Sequence, residues 1–129
     1  MAERNLVKFP PGTVIFTEGG VDYKMYLIRN GWVKVSKGRR TIAQLGPGEP
    51  VGEMSLLLDE PHSATVKAVS DVEAIEITGK NFQDIILQEP GIGWTVMRFL
   101  AARLRDTTAA YATLSERSWK GFPPEETPL

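Results

Sequence analysis

Between Leu6 and Ile77 the chain is cut into short β-branched and aromatic runs by Gly, Pro, Asn and Asp, and helical spacing of apolar residues takes over only from Gly79. Short strands with turn punctuation and no crossover helices cannot build βαβ units; they fold as an antiparallel sandwich or roll. The runs are Leu6 to Phe9, Thr13 to Thr17, Met25 to Arg29, Trp32 to Val35, Thr41 to Leu45, Ser63 to Val69 and Val72 to Ile77. Pro10-Pro11-Gly12 turns the first into the second. Asn30-Gly31 predicts a tight hairpin, because both residues tolerate positive φ. Val33 and Val35 then share one face, with Trp32 and Lys34 opposite. Lys37-Gly38-Arg39-Arg40 is a second turn; its arginines read as a solvated tip rather than as a site for an acidic partner. Ser70-Asp71 is a third turn.

From Gly79 to Gln88, Phe82, Ile85 and Ile86 follow helical spacing, and Pro90-Gly91 is expected to end that helix. A longer helix is expected from Ile92 to about Glu116. Ile92, Val96 and Phe99 form a face to pack on the roll. Met97, Leu100, Leu104, Tyr111 and Leu114, with Thr107 as a weak member, form a second stripe in steps of three and four. That stripe reads as a homodimer seam, with one broad buried face of a monomer as the alternative. One domain is therefore expected over 1–116, with a flexible Pro- and Glu-rich tail over 117–129.

Val51-Gly52-Glu53-Met54-Ser55-Leu56-Leu57-Leu58-Asp59-Glu60-Pro61-His62-Ser63-Ala64-Thr65 has the composition of an anion-cradling turn. Gly52 allows close backbone approach, and a short helical turn after it leaves N–H groups unpaired, as a phosphate site requires. Glu53 would repel a bare phosphate, so it fits a ligand that also offers hydroxyl donors, as a ribose does. Phosphate and sugar together suggest a nucleotide. Leu56, Leu57 and Leu58 are expected to bury one side of the turn, and Pro61 to end it.

At these residues the chain resembles the cyclic nucleotide-binding domain of catabolite-activator-type bacterial regulators, protein kinase A regulatory subunits and cyclic-nucleotide-gated channels. The family's Gly-Glu-hydrophobic-small-Leu turn, followed by Pro-Arg-small-Ala, is matched by Gly52, Glu53, Met54, Ser55, Leu56, Pro61, Ser63 and Ala64. His62 stands where the family has its phosphate-pairing Arg. Phe9, Gly12, Ile15, Glu18, Gly19, Met25, Tyr26, Ile28, Gly31 and Val33 fall in register with the opening strands, and Leu45-Gly46-Pro47-Gly48 with the approach to the turn, so residues 6–114 are covered. The resemblance implies a mainly β fold, an antiparallel β-roll of the double-stranded β-helix or jelly-roll kind, followed by two C-terminal helices. It also implies a site for cAMP or cGMP. Glu53 would take the ribose 2′-hydroxyl, amides around Gly52, Met54 and Ser55 the cyclic phosphate, Ser63 and Ala64 would lie beside it, and the last helix would cover the base.

His62 divides the functional reading. Arg offers a permanently charged fork to two phosphate oxygens; His offers at most one donor, and is charged only when protonated. One reading is a sensor domain that binds cyclic nucleotide through a weaker phosphate contact, one that fades as pH rises, and relays it through the last helix. The other is a nucleotide-free fold in which His62 is a partly exposed loop residue and the domain serves protein interaction or dimerisation.

Composition narrows the alternatives. The 129 residues carry a formal net charge of -1, so no basic field draws the chain to nucleic acid or anionic lipid. With no Cys and a single His, disulfides, thiolate sites, a cupin-like metal centre and a Ser-His-Asp triad are unmotivated, and neither an enzyme nor a metal is expected. No apolar run suits a membrane span, and Met1-Ala2-Glu3-Arg4-Asn5 lacks the apolar stretch of a signal peptide, so a cytoplasmic location is expected. A DNA-binding helix-turn-helix would need a further domain, leaving a separate polypeptide or self-association as the output.

Overall fold

The structure, a computed structural model, describes residues 5–118 and the side chains of residues 5–109. Eight strands come first: β1 (Leu6–Phe9), β2 (Val14–Phe16), β3 (Met25–Asn30), β4 (Val33–Lys37), β5 (Arg40–Leu45), β6 (Pro50–Val51), β7 (Thr65–Ala68) and β8 (Val72–Ile77). A short helix, α1 (Glu53–Leu58), interrupts them, and α2 (Phe82–Gln88) and α3 (Pro90–Ser118) follow. The strands form two four-stranded antiparallel sheets, β1-β8-β3-β6 and β2-β7-β4-β5. This is the expected β-roll with helices at its C-terminal end.

Phe16, Tyr26, Ile28, Val33, Val51, Val66, Ala68, Val72 and Ala74 form one buried cluster drawn from both sheets. Met25, Leu27, Ile75 and Ile77, the alternate residues of β3 and β8, are buried as well. Val33 is fully buried, Lys34 exposed and Val35 half-buried, as strand alternation predicts.

One connection differs from the sequence reading. β3 and β4 do not pair with each other, so Asn30-Gly31 is not a hairpin turn: β3 lies between β8 and β6, and β4 between β7 and β5. Only Gly31 takes positive φ, and a Cβ there would run into the Asp71 carbonyl. Ser70-Asp71 likewise joins strands of different sheets. The two crossings brace each other: the Trp32 N–H donates to Ser70 Oγ (3.0 Å) and the Val69 N–H to the Trp32 carbonyl (3.0 Å). The tight hairpin is at Gly38-Arg39, closing β4 onto β5 through the Lys37–Arg40 pair.

Pro90 does not act as a terminator. It is the first residue of α3, where its missing N–H costs nothing, and α2 has already ended at Gln88. The turn into α2 is built by Thr78 and Asn81. The Thr78 N–H donates to Asn81 Oδ1 (2.7 Å) and the Asn81 N–H to Thr78 Oγ1 (3.3 Å).

The chain divides into two compact units, the first running to Val96 and the second starting at Met97. In the first, Ile85, Ile92 and Val96 are buried, as their spacing predicts. In the second, Phe99 and Leu100 are half-buried, whereas Met97 and Leu104 are 57% and 68% exposed. The side chains of Tyr111 and Leu114, and the expected tail from residue 119 onward, lie outside the described residues. Among the described residues no helix is long and apolar enough to cross a membrane.

Candidate functional site

Two pairing events bring the central turn together. β6 pairs with β3 through Tyr26–Val51 and Leu27–Pro50, which delivers Gly52 next to the Lys24 carbonyl. β2 pairs with β7 through Phe16–Val66, and the ladder continues beyond the strand ends. The Glu18 N–H donates to Thr65 Oγ1 (3.0 Å), the Gly19 N–H to the His62 carbonyl (2.8 Å) and the His62 N–H to the Gly20 carbonyl (2.8 Å). These bonds fix residue 62 over Phe16.

Gly52 caps α1 in the left-handed region, with φ 80°. A Cβ there would stand 2.5 Å from Phe16 Cε2 and 2.8 Å from the Lys24 carbonyl oxygen, so the position admits only glycine. The first bond inside α1 runs from the Leu56 N–H to the Gly52 carbonyl (3.2 Å). The N–H groups of Glu53, Met54 and Ser55 therefore precede the helix's own ladder. Glu53, the first helical residue, is 4% exposed and thus not an exposed helix cap.

The apolar face of α1 is not where the sequence placed it. Leu57 and Leu58 are 46% and 59% exposed and Leu56 half-buried, while the residues turned inward are Glu53 and Ser55. Six residues make under two turns, and burial goes to the polar groups on the inner side. Nor does Pro61 end the helix: Asp59 does, in the left-handed conformation at φ 55°. Ser55, 2% exposed, donates its hydroxyl to the Glu60 carbonyl (2.6 Å) and folds the following segment back over the turn.

His62 is 5% exposed, which excludes the picture of a partly exposed loop residue. Its ring stacks on Phe16 with centroids 3.8 Å apart and planes 22° from parallel, and its Nε2 lies 2.5 Å from Asp22 Oδ1. Phe16 in turn touches Tyr26 (5.4 Å between centroids), and Tyr26 meets Phe9 edge-on (5.2 Å, 84°). A line of rings thus runs from β1 through the core to residue 62.

Of the sequence-named residues, Gly52 meets the edge of the Phe16 ring and His62 its face, and Glu53 and Ser55 are both buried on α1. Met54 is 38% exposed, Ser63 exposed and Ala64 half-buried. Sequence reasoning missed Phe16 and Asp22. Phe16 carried the ordinary signature of a strand residue, and Asp22 lies in the aperiodic Gly20-Val21-Asp22-Tyr23-Lys24 segment, which gives no sign of what it faces.

A second polar cluster lies within the roll. Glu76 Oε2 accepts hydrogen bonds from the Tyr26 hydroxyl (2.7 Å) and Lys24 Nζ (3.1 Å). Burial alone would raise the Glu76 carboxyl, but these donors and the Lys24 charge outweigh it and hold the group below the usual glutamate range. Burial first, then the Glu76 hydrogen bond and negative charge, push the Tyr26 hydroxyl well above the usual tyrosine range.

An antiparallel jelly roll that presents a Gly-Glu turn against its own core, with helices after it, defines a β-roll of the cyclic nucleotide-binding type. The chain belongs to the cyclic nucleotide-binding domain family, whose model matches residues 6–89. It is 34% identical over 112 residues to the cyclic AMP receptor protein of Thermus thermophilus, covering 83% of this chain and 52% of that protein. It is 35% identical over 79 residues to a cAMP-dependent protein kinase regulatory subunit of Hypocrea atroviridis, covering 61% of this chain and 17% of that protein. The crystal structure of the Thermus thermophilus catabolite activator protein superimposes with a TM-score of 0.73 at 32% identity, over 88% of this chain and 57% of that one. The chain spans about half the length of the bacterial regulator it matches.

Proposed function

We propose that this domain senses cAMP or cGMP at the Gly52–Ser55 turn and relays occupancy through α3. The observation that carries the reading is Glu53: an acidic residue 4% exposed, at the first position of a helix entered through a left-handed glycine. In this role Glu53 accepts a hydrogen bond from the ribose 2′-hydroxyl. The adjacent N–H groups of Met54 and Ser55 donate to the exocyclic phosphate oxygens, and the positive end of the helical turn favours the anion. Gly52 lets the phosphate approach the backbone, Ser63 and Ala64 flank it, and Ser63 lies within reach of the base. Sensing by non-covalent binding asks for no catalytic group, and this reading has none.

The test is calorimetric titration with cAMP, cGMP and 2′-deoxy-cAMP at about pH 6 and about pH 8, on the two sides of the ordinary imidazole range. Saturable binding of a cyclic nucleotide, weakened by loss of the 2′-hydroxyl, supports the reading; no heat with either nucleotide at either pH ends it. Relay is read separately, as altered amide exchange across residues 90–118 on nucleotide addition.

A second reading draws on the Asp22–His62 pair, which engages the phosphate-pairing position within the chain itself. On this reading the domain binds no nucleotide and acts through protein contacts or self-association. Absence of binding, together with a concentration-dependent dimer, would select it.

A further inference from the structure

His62 and Asp22 are unequal partners. The His62 side chain is 4% exposed and stacked on the Phe16 ring, with its backbone bonded to Gly19 and Gly20, whereas the Asp22 side chain is 44% exposed. A carboxylate only accepts, so His62 Nε2 carries the hydrogen that bridges them. In the neutral ring this leaves Nδ1 with a lone pair, which repels a phosphate oxygen, and in either protonation state the Nε2–H is already engaged by Asp22. His62 can therefore give its Nε2–H to a phosphate only when Asp22 withdraws.

Asp22 is the member free to withdraw, since its exposed carboxylate can exchange His62 for water at little cost. The imidazole, stacked on Phe16 and buried, stays. Resting on the nucleotide-sensing reading, we infer that Asp22 is an affinity-setting residue, a built-in competitor that occupies the phosphate-pairing position and must release His62 when a cyclic nucleotide binds. Neither the Gly-Glu turn nor position 62 alone then fixes the affinity; the 17–24 loop takes part, and nucleotide binding displaces the side chain of Asp22. The exchange replaces one anion by another on the same donor, so the donor contributes only the difference between the two bonds.

The experiment compares the wild-type chain, Asp22→Asn, Asp22→Ser, His62→Ala and His62→Ala/Asp22→Asn by calorimetry with cAMP and cGMP, with thermal melts of each protein. Asparagine keeps the shape but replaces a charge-assisted bond with a neutral one, so affinity should rise about tenfold. Asp22→Ser should rise at least as far, and carries the test if Asp22→Asn melts abnormally. In the His62→Ala background, Asp22→Asn should change affinity by less than about twofold, because the competition has lost its object. Unchanged or weakened binding by the Asp22 variants in proteins of native melting behaviour overturns the inference. So does an equal gain in the His62→Ala background, which would mark long-range charge rather than competition. Wild-type binding with no Asp22 effect removes this inference alone, whereas silence from all five proteins removes the nucleotide-sensing reading and this inference with it.

Discussion

The edge of the Phe16 ring fills the space where a side chain at Gly52 would begin, 2.5 Å from Cε2 to the site of a Cβ. One aromatic side chain thus forms the floor of the turn and, through its face, the shelf for His62. Gly52→Ala must open this contact and also adopt a left-handed backbone at φ 80°. The two costs together come to about 2–5 kcal/mol. Urea denaturation should show a midpoint lowered accordingly, and nucleotide titration a loss of binding greater than the stability change alone produces.

Tyr26 is 4% exposed and joins the ring line to the Glu76 carboxylate through its hydroxyl. Tyr26→Phe keeps the ring contacts with Phe9 and Phe16 and removes the hydrogen bond, at a cost of about 1–2 kcal/mol. The pH profile gives a sharper readout. Because the folded Glu76 carboxyl lies below its ordinary value, its contribution is present above the unfolded pKa and fades as pH falls through the folded one. Tyr26→Phe should flatten that acid-side decline. Tyr26, raised in the fold, contributes below the ordinary tyrosine value, and this is lost as pH climbs beyond it; the variant should lack that alkaline loss. Denaturation midpoints across the pH range check both arms.

Strand positions were legible because β-branched runs bounded by turn residues define short strands whatever their partners. Partnering was not. Asn30-Gly31 has the composition of a hairpin, yet the chain uses Gly31 to pass close to Asp71 and change sheets, a tertiary demand that a dipeptide does not encode. β6 was missed because two residues, Pro50 and Val51, carry no periodicity. The Gly52-Glu53 turn was legible as a motif, and its inner face was misread because three consecutive leucines outweighed one serine and one glutamate. Asp22 was invisible for the complementary reason, since its role depends on a residue forty positions later.

Glu53 offers the most direct test of ligand chemistry. A carboxylate accepting from a sugar hydroxyl makes a charge-assisted bond, and its loss corresponds to about ten- to a hundredfold in affinity. Glu53→Gln should therefore weaken cAMP binding within that range. It should weaken 2′-deoxy-cAMP far less, since that ligand never made the bond. Equal losses for both ligands in calorimetry would show that Glu53 shapes the turn without touching the sugar.

The stripe along α3 predicts self-association through a seam with one weak place. Met97 and Leu104 stand seven residues apart, a full heptad, and both are more than half exposed. Thr107 falls where the next apolar member of the stripe belongs and is exposed. If α3 pairs with its copy along this line, Thr107→Leu adds apolar area from both chains at once and should tighten a dimer by at least about tenfold. Leu104→Glu places like charges across the same seam and should leave a monomer. Sedimentation equilibrium separates the outcomes. Parallel shifts of both variants toward tighter or weaker association would place the contact elsewhere, because a seam on this stripe requires the two substitutions to act in opposite directions.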